Sequence, residues 1–353
     1  MKSYKDSISL LEIYQPIQSQ LQATETLLVK ELASKDSFRD GLMGELARHV
    51  ARMPGKRIRP ALALFSAHIA HTVKRSNGNG SSRLFLQRAI KLAASVEMIH
   101  TATLLHDDVI DGASLRRGLS TLNAKWGDTL SVLSGDYLYS KAFCLLSELN
   151  NQTVLGLMSD TARTVCEGEV AQIHHQYDYK LSRLSYLKII EWKTASLMGA
   201  AARGGGLLGG ASPAEAKRLG EFGLHFGLAF QILDDTQDLI GEEQVIGKSL
   251  GTDLALGQMT LPLLHLRDAA KPKLKAQLNE WFNGNGARSS EEVQEQMRFL
   301  KRQAIEHRVP AYCNQVANRY LDKARRAVAP FPSSIYKKNL LGLTDYLLQI
   351  YQS

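Results

Sequence analysis

The sequence predicts an all-α fold, a bundle of ten or more helices, and three observations predict it. Long stretches between turn signals carry apolar residues at i, i+3, i+4 and i+7, the spacing that lines one face of a helix. The chain of 353 residues holds only 9 prolines, and strand-like alternation is scarce. Two stretches, KLAASVEMIHTATLLHDDVI and GLHFGLAFQILDDTQDLI, are apolar nearly all round, and such helices belong at the centre of a bundle.

In chain order, the helical period runs through 8–34, 84–111, 129–149, 154–178, 184–208, 213–241 and 291–328. The first spaces Leu10, Ile13, Ile17 and Leu21 at helical intervals. The second and sixth contain the two nearly apolar stretches, and both stretches carry aspartates near their ends. Charge at the end of a buried helix is costly unless it is paired or metal-bound. The last interleaves basic and apolar residues, the pattern of a solvated helix face. RSNGNGSSR at 75–83 and NGNGARSS at 283–290 read as surface loops. The same helical patterning resumes beyond each loop, so neither reads as a linker. No repeat of fixed period interrupts the chain, and residues 1–353 read as one domain.

Composition narrows the class. No apolar run approaches the roughly 18 residues of a membrane span. The opening MKSYKDSISLLEIYQ lacks an apolar signal core, and Asp6 and Glu12 argue against a transit peptide. Cys144, Cys166 and Cys313 are widely spaced and form no CxxC, which predicts a reducing, cytoplasmic setting without a disulfide framework or zinc site. The net charge of +8 suits anionic partners, yet no RNA-binding signature is present, so nucleic acid is not expected.

The chemistry concentrates in two acidic clusters, Asp107-Asp108-Val109-Ile110-Asp111 and Asp234-Asp235-Thr236-Gln237-Asp238. On a helix, residues four apart differ by about 40° in azimuth and about 6 Å in height. Asp107 and Asp111 therefore share a face while Asp108 points off it, and His100 lies on the Asp107 stripe. With roughly one Asp in twenty residues, two such clusters arise by chance in on the order of 1 in 1,000 chains of this length. Carboxylates gathered this way suit hard cations. Mg²⁺ takes oxygen ligands and is usually shared with substrate phosphates, whereas neither cluster holds the His or Cys that zinc prefers.

Basic residues form a second set. PGKRIRP at 54–60 supplies Lys56, Arg57 and Arg59, and Arg116 and Arg117 follow the first cluster. Lys193 and Thr194 lie in EWKT, and Lys248 in GKSLG. Arg pairs bidentately with phosphate oxygens and Lys acts as a point charge. Acids and bases together predict two anionic groups, one bound through metal and one bound directly.

The order GKRIRP, EMIHTATLLHDDVIDGASLRRG, GDYLYSKA, EGE, KTA, FQILDD and GKSLGTDL resembles the trans-isoprenyl diphosphate synthases, and within them the long-chain polyprenyl diphosphate synthases. The resemblance runs from about residue 54 to 262. It implies an isoprenoid synthase-like fold, a single large bundle of mostly antiparallel helices around a central substrate cavity, assembled as a homodimer. It implies joining of isopentenyl diphosphate to an allylic diphosphate with two to three Mg²⁺ ions per active site. Carried over by position, Asp107, Asp111 and Asp234 are direct metal ligands, and Asp108, Asp235 and Asp238 give direct or water-mediated support. Lys56, Arg59, His100 and Arg117 hold isopentenyl diphosphate. Arg116, Lys193 and Lys248 hold the allylic diphosphate, with Thr194 and Gln231 nearby.

Small residues just upstream of the first cluster, Ala102 and Thr103, imply an open tunnel and a product of thirty to fifty carbons. A peripheral membrane contact for product release is compatible with such a product. One departure stands out, because the family usually has Lys two residues before Thr-Leu-Pro and this chain has Gln258. The alternatives are a shorter-chain, geranylgeranyl-type synthase and a non-catalytic subunit of a heteromeric synthase. Such subunits tend to lose aspartates, and this chain keeps both clusters. A terpene cyclase usually carries a mixed Asn, Ser and Glu motif in place of the second cluster. A squalene- or phytoene-type synthase would leave PGKRIRP without a role.

Overall fold

The computed structural model describes residues 9–32, 44–45, 48–49, 55–75, 82–116, 118–241, 251–283 and 290–352. Arg117, Lys248 and most of the two predicted loops lie outside those residues. Among the described residues the fold is helical throughout, apart from one short hairpin, Leu115–Arg116 paired antiparallel with Leu119–Ser120. No helix among them is long and apolar enough to cross a membrane.

The chain divides into two compact units. The first comprises Met1–Ala162, Leu197–Leu224 and Ala324–Ser353, and the second Arg163–Ser196 and His225–Lys323. At the centre of the first lies the Ser82–Ile110 helix, packed by Ile58–Arg75, Gln18–Leu32 and Asp128–Ser147. Leu92, Ala93, Val96, Ile99, Ala102 and Leu105 on it are fully buried, as the all-round apolar pattern requires. Each large side chain buried this way contributes about 1.5–3 kcal/mol.

The glycine-rich stretch ARGGGLLG is unfavourable for a helix by propensity, yet it sits in the Ser196–Gly209 helix, in line with the helical period through 184–208. Close approach explains it. A Cβ on Gly205 would lie 2.1 Å from the Ala63 carbonyl oxygen, and one on Gly209 would lie 2.2 Å from that of Ala67. Glycines four apart thus let this helix touch the Ile58–Arg75 backbone, and that packing outweighs the roughly 1 kcal/mol propensity penalty of each.

In the second unit, the Leu261–Ala269 helix touches Arg183–Ile190, Pro272–Asn283 and Ser290–Glu306. Ile232, Leu233, Leu264, Leu266, Phe282 and Leu300 fill its core.

Element boundaries differ from the periodicity in instructive places. The 184–208 segment is not uniform, since Glu191–Ala195 widens into a π-turn between two α-helices. The 291–328 segment is two helices, Ser290–Glu306 and Val309–Val328, divided at Arg308 with φ 53°. Pro310 in the first turn of the second helix is the sequence signal for that break. The 154–178 segment stops being helical at His174, and Pro16 tightens the first segment into a 3₁₀ turn at Gln15–Ile17. Periodicity did not single out the helices Ile58–Arg75, Leu261–Ala269, Pro272–Asn283 and Ile335–Gln352, or the hairpin.

Candidate active site

The first cluster ends the Ser82–Ile110 helix in the first unit. Helix geometry sorts its aspartates as expected: Asp107 and Asp111 keep solvent-accessible surface, while Asp108 is fully buried. Arg116 Nε donates to Asp108 Oδ1 at 2.7 Å. Burial pushes the Asp108 carboxyl up, and the Arg116 guanidinium pulls against it. Asp108 Oδ2 is buried and has no hydrogen-bond partner among the described residues. The loop after the helix is held tightly. Ala113 N and Asn123 Nδ2 both donate to the Asp108 carbonyl, and Thr121 Oγ1 donates to that of Ala113.

PGKRIRP separates into distinct jobs. Arg57 takes a left-handed φ of 52° just before the Ile58–Arg75 helix. Its guanidinium reaches Glu97 at 2.9 Å and Glu25 at 3.2 Å, so it is a structural ion pair. Arg59 turns to His100, donating from Nη1 to His100 Nε2 at 3.0 Å, which requires the His100 proton to sit on Nδ1. Lys56 is exposed, with its ammonium 5.8 Å from the Tyr351 ring centre. Arg59 and His100, far apart in sequence, are thus brought together.

Upstream of the cluster, Ala102 and Thr103 diverge. Ala102 lies one turn before His106 and is fully buried. His106 sits so close over Gly135 that a Cβ there would lie 2.2 Å from its Nε2, so this stripe faces the Asp128–Ser147 helix. Thr103 shares the Asp107 stripe and keeps accessible surface, and its hydroxyl donates to the His100 carbonyl at 2.7 Å.

The second cluster lies on the His225–Ile240 part of the Pro213–Ile240 helix, in the second unit. Asp234 keeps accessible surface, whereas Asp235 and Asp238 are buried. Tyr186 Oη and Gln231 Nε2 each donate to Asp235, both at 2.6 Å. Burial pushes the Asp235 carboxyl up and those two bonds pull it down. Asp238 accepts from Thr252 Oγ1 at 2.9 Å and from Asp253 N at 3.1 Å. This explains GTDL: Gly251, at φ 77°, turns the Thr252–Ala255 segment so that its first donors meet Asp238. The resemblance implies that Asp235 and Asp238 give the metal direct or water-mediated support. Here their carboxylates are bound by protein donors, and Tyr186, Thr252 and Asp253 were missed as their partners.

Lys193 and Thr194 sit in the π-turn. Lys193 Nζ pairs with Glu169 at 2.5 Å, and Thr194 Oγ1 donates to Gln231 Oε1 at 2.9 Å. The EGE motif is explained by the same packing, since a Cβ on Gly168 would lie 2.6 Å from Lys193 N. Gln258 is half-buried in a turn whose Gly257, at φ 66°, packs against the Tyr177 ring.

The donor chemistry fits Mg²⁺. Each cluster keeps carboxylates with accessible surface, Asp107 and Asp111 in the first and Asp234 in the second.

A sequence profile of the family described as Polyprenyl synthetase matches residues 40–300. The chain is 34% identical to an octaprenyl diphosphate synthase of Haemophilus influenzae over 96% of both chains. It is 33% identical to an all-trans-nonaprenyl-diphosphate synthase (geranyl-diphosphate specific) of Rhodobacter capsulatus, over 96% of this chain and 97% of that one. Its structure is similar to a crystal structure of a polyprenyl synthase from Caulobacter crescentus complexed with calcium and isoprenyl diphosphate. That likeness has a TM-score of 0.86 and 33% identity, and covers 98% of each chain.

Proposed function

The chain belongs to the polyprenyl synthetase family, and from that premise we propose that it condenses isopentenyl diphosphate with an allylic diphosphate in successive head-to-tail steps. The product is a long-chain all-trans polyprenyl diphosphate of about thirty to fifty carbons. The observation that carries this reading is the sorting of the aspartates. Asp107, Asp111 and Asp234 are left at the surface while Asp108, Asp235 and Asp238 are buried.

Asp107, Asp111 and Asp234 would hold two to three Mg²⁺ ions, with Asp108, Asp235 and Asp238 fixing the helix ends beneath them. When bound, Mg²⁺ supplies positive charge that stabilises a departing diphosphate. Arg116, Lys193 and Lys248 bind the allylic diphosphate, with Thr194 and Gln231 beside it. The Nε bond to Asp108 sets the place of Arg116 before any diphosphate arrives, which lowers the ordering cost of binding. Lys56, Arg59, His100 and Arg117 bind isopentenyl diphosphate. The Arg59–His100 bond presets two of these groups.

The allylic C1–O bond breaks and diphosphate leaves with the electron pair. The terminal double bond of isopentenyl diphosphate forms the new C–C bond to C1. A proton is then lost from its C2 to the released diphosphate. Fixed cationic side chains stabilise the charge that builds on the leaving group, and apolar helices exclude water from the cation. We further propose that residues 1–353 act as one domain, that the chain is a cytoplasmic homodimer, and that product release involves peripheral membrane contact.

Incubation with Mg²⁺, labelled isopentenyl diphosphate and farnesyl diphosphate, followed by product sizing, tests the reading. Long-chain labelled product is expected. No elongation with any allylic primer would overturn it, and products stopping at twenty carbons would favour a geranylgeranyl-type synthase.

A further inference from the structure

A chain of side-chain hydrogen bonds runs through the second unit and ends on a residue with no assigned role. Thr194 Oγ1 donates to Gln231 Oε1 at 2.9 Å. Gln231 Nε2 donates to Asp235 Oδ1 at 2.6 Å. Tyr186 Oη donates to Asp235 Oδ2, also at 2.6 Å. Tyr186 and Asp235 are both buried, at 3% and 5% exposure, so water competes little for these bonds.

The polarity of the chain follows from one end. Asp235 accepts at both oxygens, from the amide nitrogen of Gln231 and from the hydroxyl of Tyr186. The Gln231 carbonyl must then face the opposite way, towards Thr194. Thr194 in turn must donate, which fixes its hydroxyl rotor. Thr194 follows Lys193 in the π-turn Glu191–Ala195, and π-turns inside helices are frequent at functional sites. Gly168 and Glu169 already hold Lys193 by a close backbone approach and an ion pair. The Tyr186 chain secures the adjacent residue.

We propose that Tyr186 is a positioning residue for the allylic diphosphate site: through Asp235 and Gln231 it fixes the orientation of Thr194 and the π-turn that carries Lys193. Tyr186 touches no substrate in this account. Its hydroxyl holds the second oxygen of Asp235, so that the carboxylate cannot rotate and release the Gln231 amide. The inference rests on the functional reading above, because it takes Lys193 and Thr194 as diphosphate contacts.

The test is a double-mutant cycle on Tyr186→Phe and Thr194→Val in the full-length enzyme. Steady-state kinetics are measured for farnesyl diphosphate and for isopentenyl diphosphate, and Tm is recorded for each variant. Tyr186→Phe is expected to raise KM for the allylic substrate several-fold and to leave KM for isopentenyl diphosphate within about twofold. Residues in one network deviate from additivity, so the double variant should miss the product of the single effects by more than about threefold. Thr194→Ser, which keeps the hydroxyl, should restore allylic KM towards wild type.

Independent, multiplicative effects would sink the proposal, as would equal changes in both KM values. Should Tyr186→Phe fail to fold, Asp235→Asn takes its place in the cycle with the same criteria, because it turns one of the two acceptor oxygens into a donor and so cannot accept from both Tyr186 and Gln231. Wild-type enzyme runs alongside, and absence of elongation there counts against the functional reading rather than against the role of Tyr186.

Discussion

Arg116 Nε lies 2.7 Å from Oδ1 of the fully buried Asp108, so the arginine that follows the first acidic cluster neutralises the one aspartate that turns inward. Removing one partner of a buried pair leaves an uncompensated charge, which costs more than the pair contributes. Arg116 is partly exposed, so water softens the loss. Arg116→Leu is expected to destabilise the protein by about 1–3 kcal/mol, read from the urea midpoint. Asp108→Asn in the same background should recover part of that loss, and no recovery would contradict the pairing.

The aspartates divide into two groups with opposite signatures. Asp107→Asn, Asp111→Asn and Asp234→Asn should each reduce elongation about 100-fold or more while Tm changes little, because these side chains keep accessible surface. Asp238→Asn should lower Tm, since Asp238 accepts from Thr252 and the Asp253 amide. Thermal melts alongside product assays separate the groups. A lowered Tm in the first three variants would contradict the division.

Chain length should answer to Thr103 rather than Ala102. Thr103 shares the Asp107 stripe and has accessible surface, so Thr103→Phe should shorten the product with little change in Tm. Ala102 is fully buried on the stripe facing the Asp128–Ser147 helix, and Ala102→Phe should overpack it by about 1–3 kcal/mol. Chromatographic sizing of products together with thermal melts reads both effects. An unchanged product length in Thr103→Phe would remove it from the tunnel.

His68 makes stability fall in mild acid. It is buried and stacks on Tyr336 with ring centres 4.1 Å apart. Burial, aided by His71, pulls its pKa down to about 4 from the ordinary 6.5. Between those values the unfolded chain binds the proton and the folded one does not, so stability is present above pH 6.5 and is lost as pH falls towards 4. The contribution over that window is about 3 kcal/mol. His68→Phe keeps a stacking ring and should flatten this part of the profile in melts from pH 4 to 7. An identical slope in the variant would contradict the assignment.

The resemblance implies a lysine two residues before Thr-Leu-Pro, where this chain has Gln258. It is half-buried, so a longer side chain has room to reach outward. Gln258→Lys adds a cation for the allylic diphosphate and should lower its KM several-fold. An unchanged or raised KM would place the residue outside the site.

Sequence alone determined the helical class, both acidic clusters and the face that each aspartate takes. Asp107 and Asp111 stand one turn apart whatever surrounds them, and Asp108 must point elsewhere, because the helix repeat is set by the backbone. Only the tertiary structure decided which charges are neutralised inside the protein. Arg57 finds Glu25 and Glu97 across 32 and 40 residues, and Tyr186 finds Asp235 across 49. No local period encodes such pairs. The π-turn at Glu191–Ala195 was hidden for the same reason, since its widening is fitted to Gly168 and Gln231 on other helices. PGKRIRP shows the division most plainly. Spacing alone does not tell its three basic residues apart, yet packing commits Arg57 to Glu25 and Glu97 and turns Arg59 to His100.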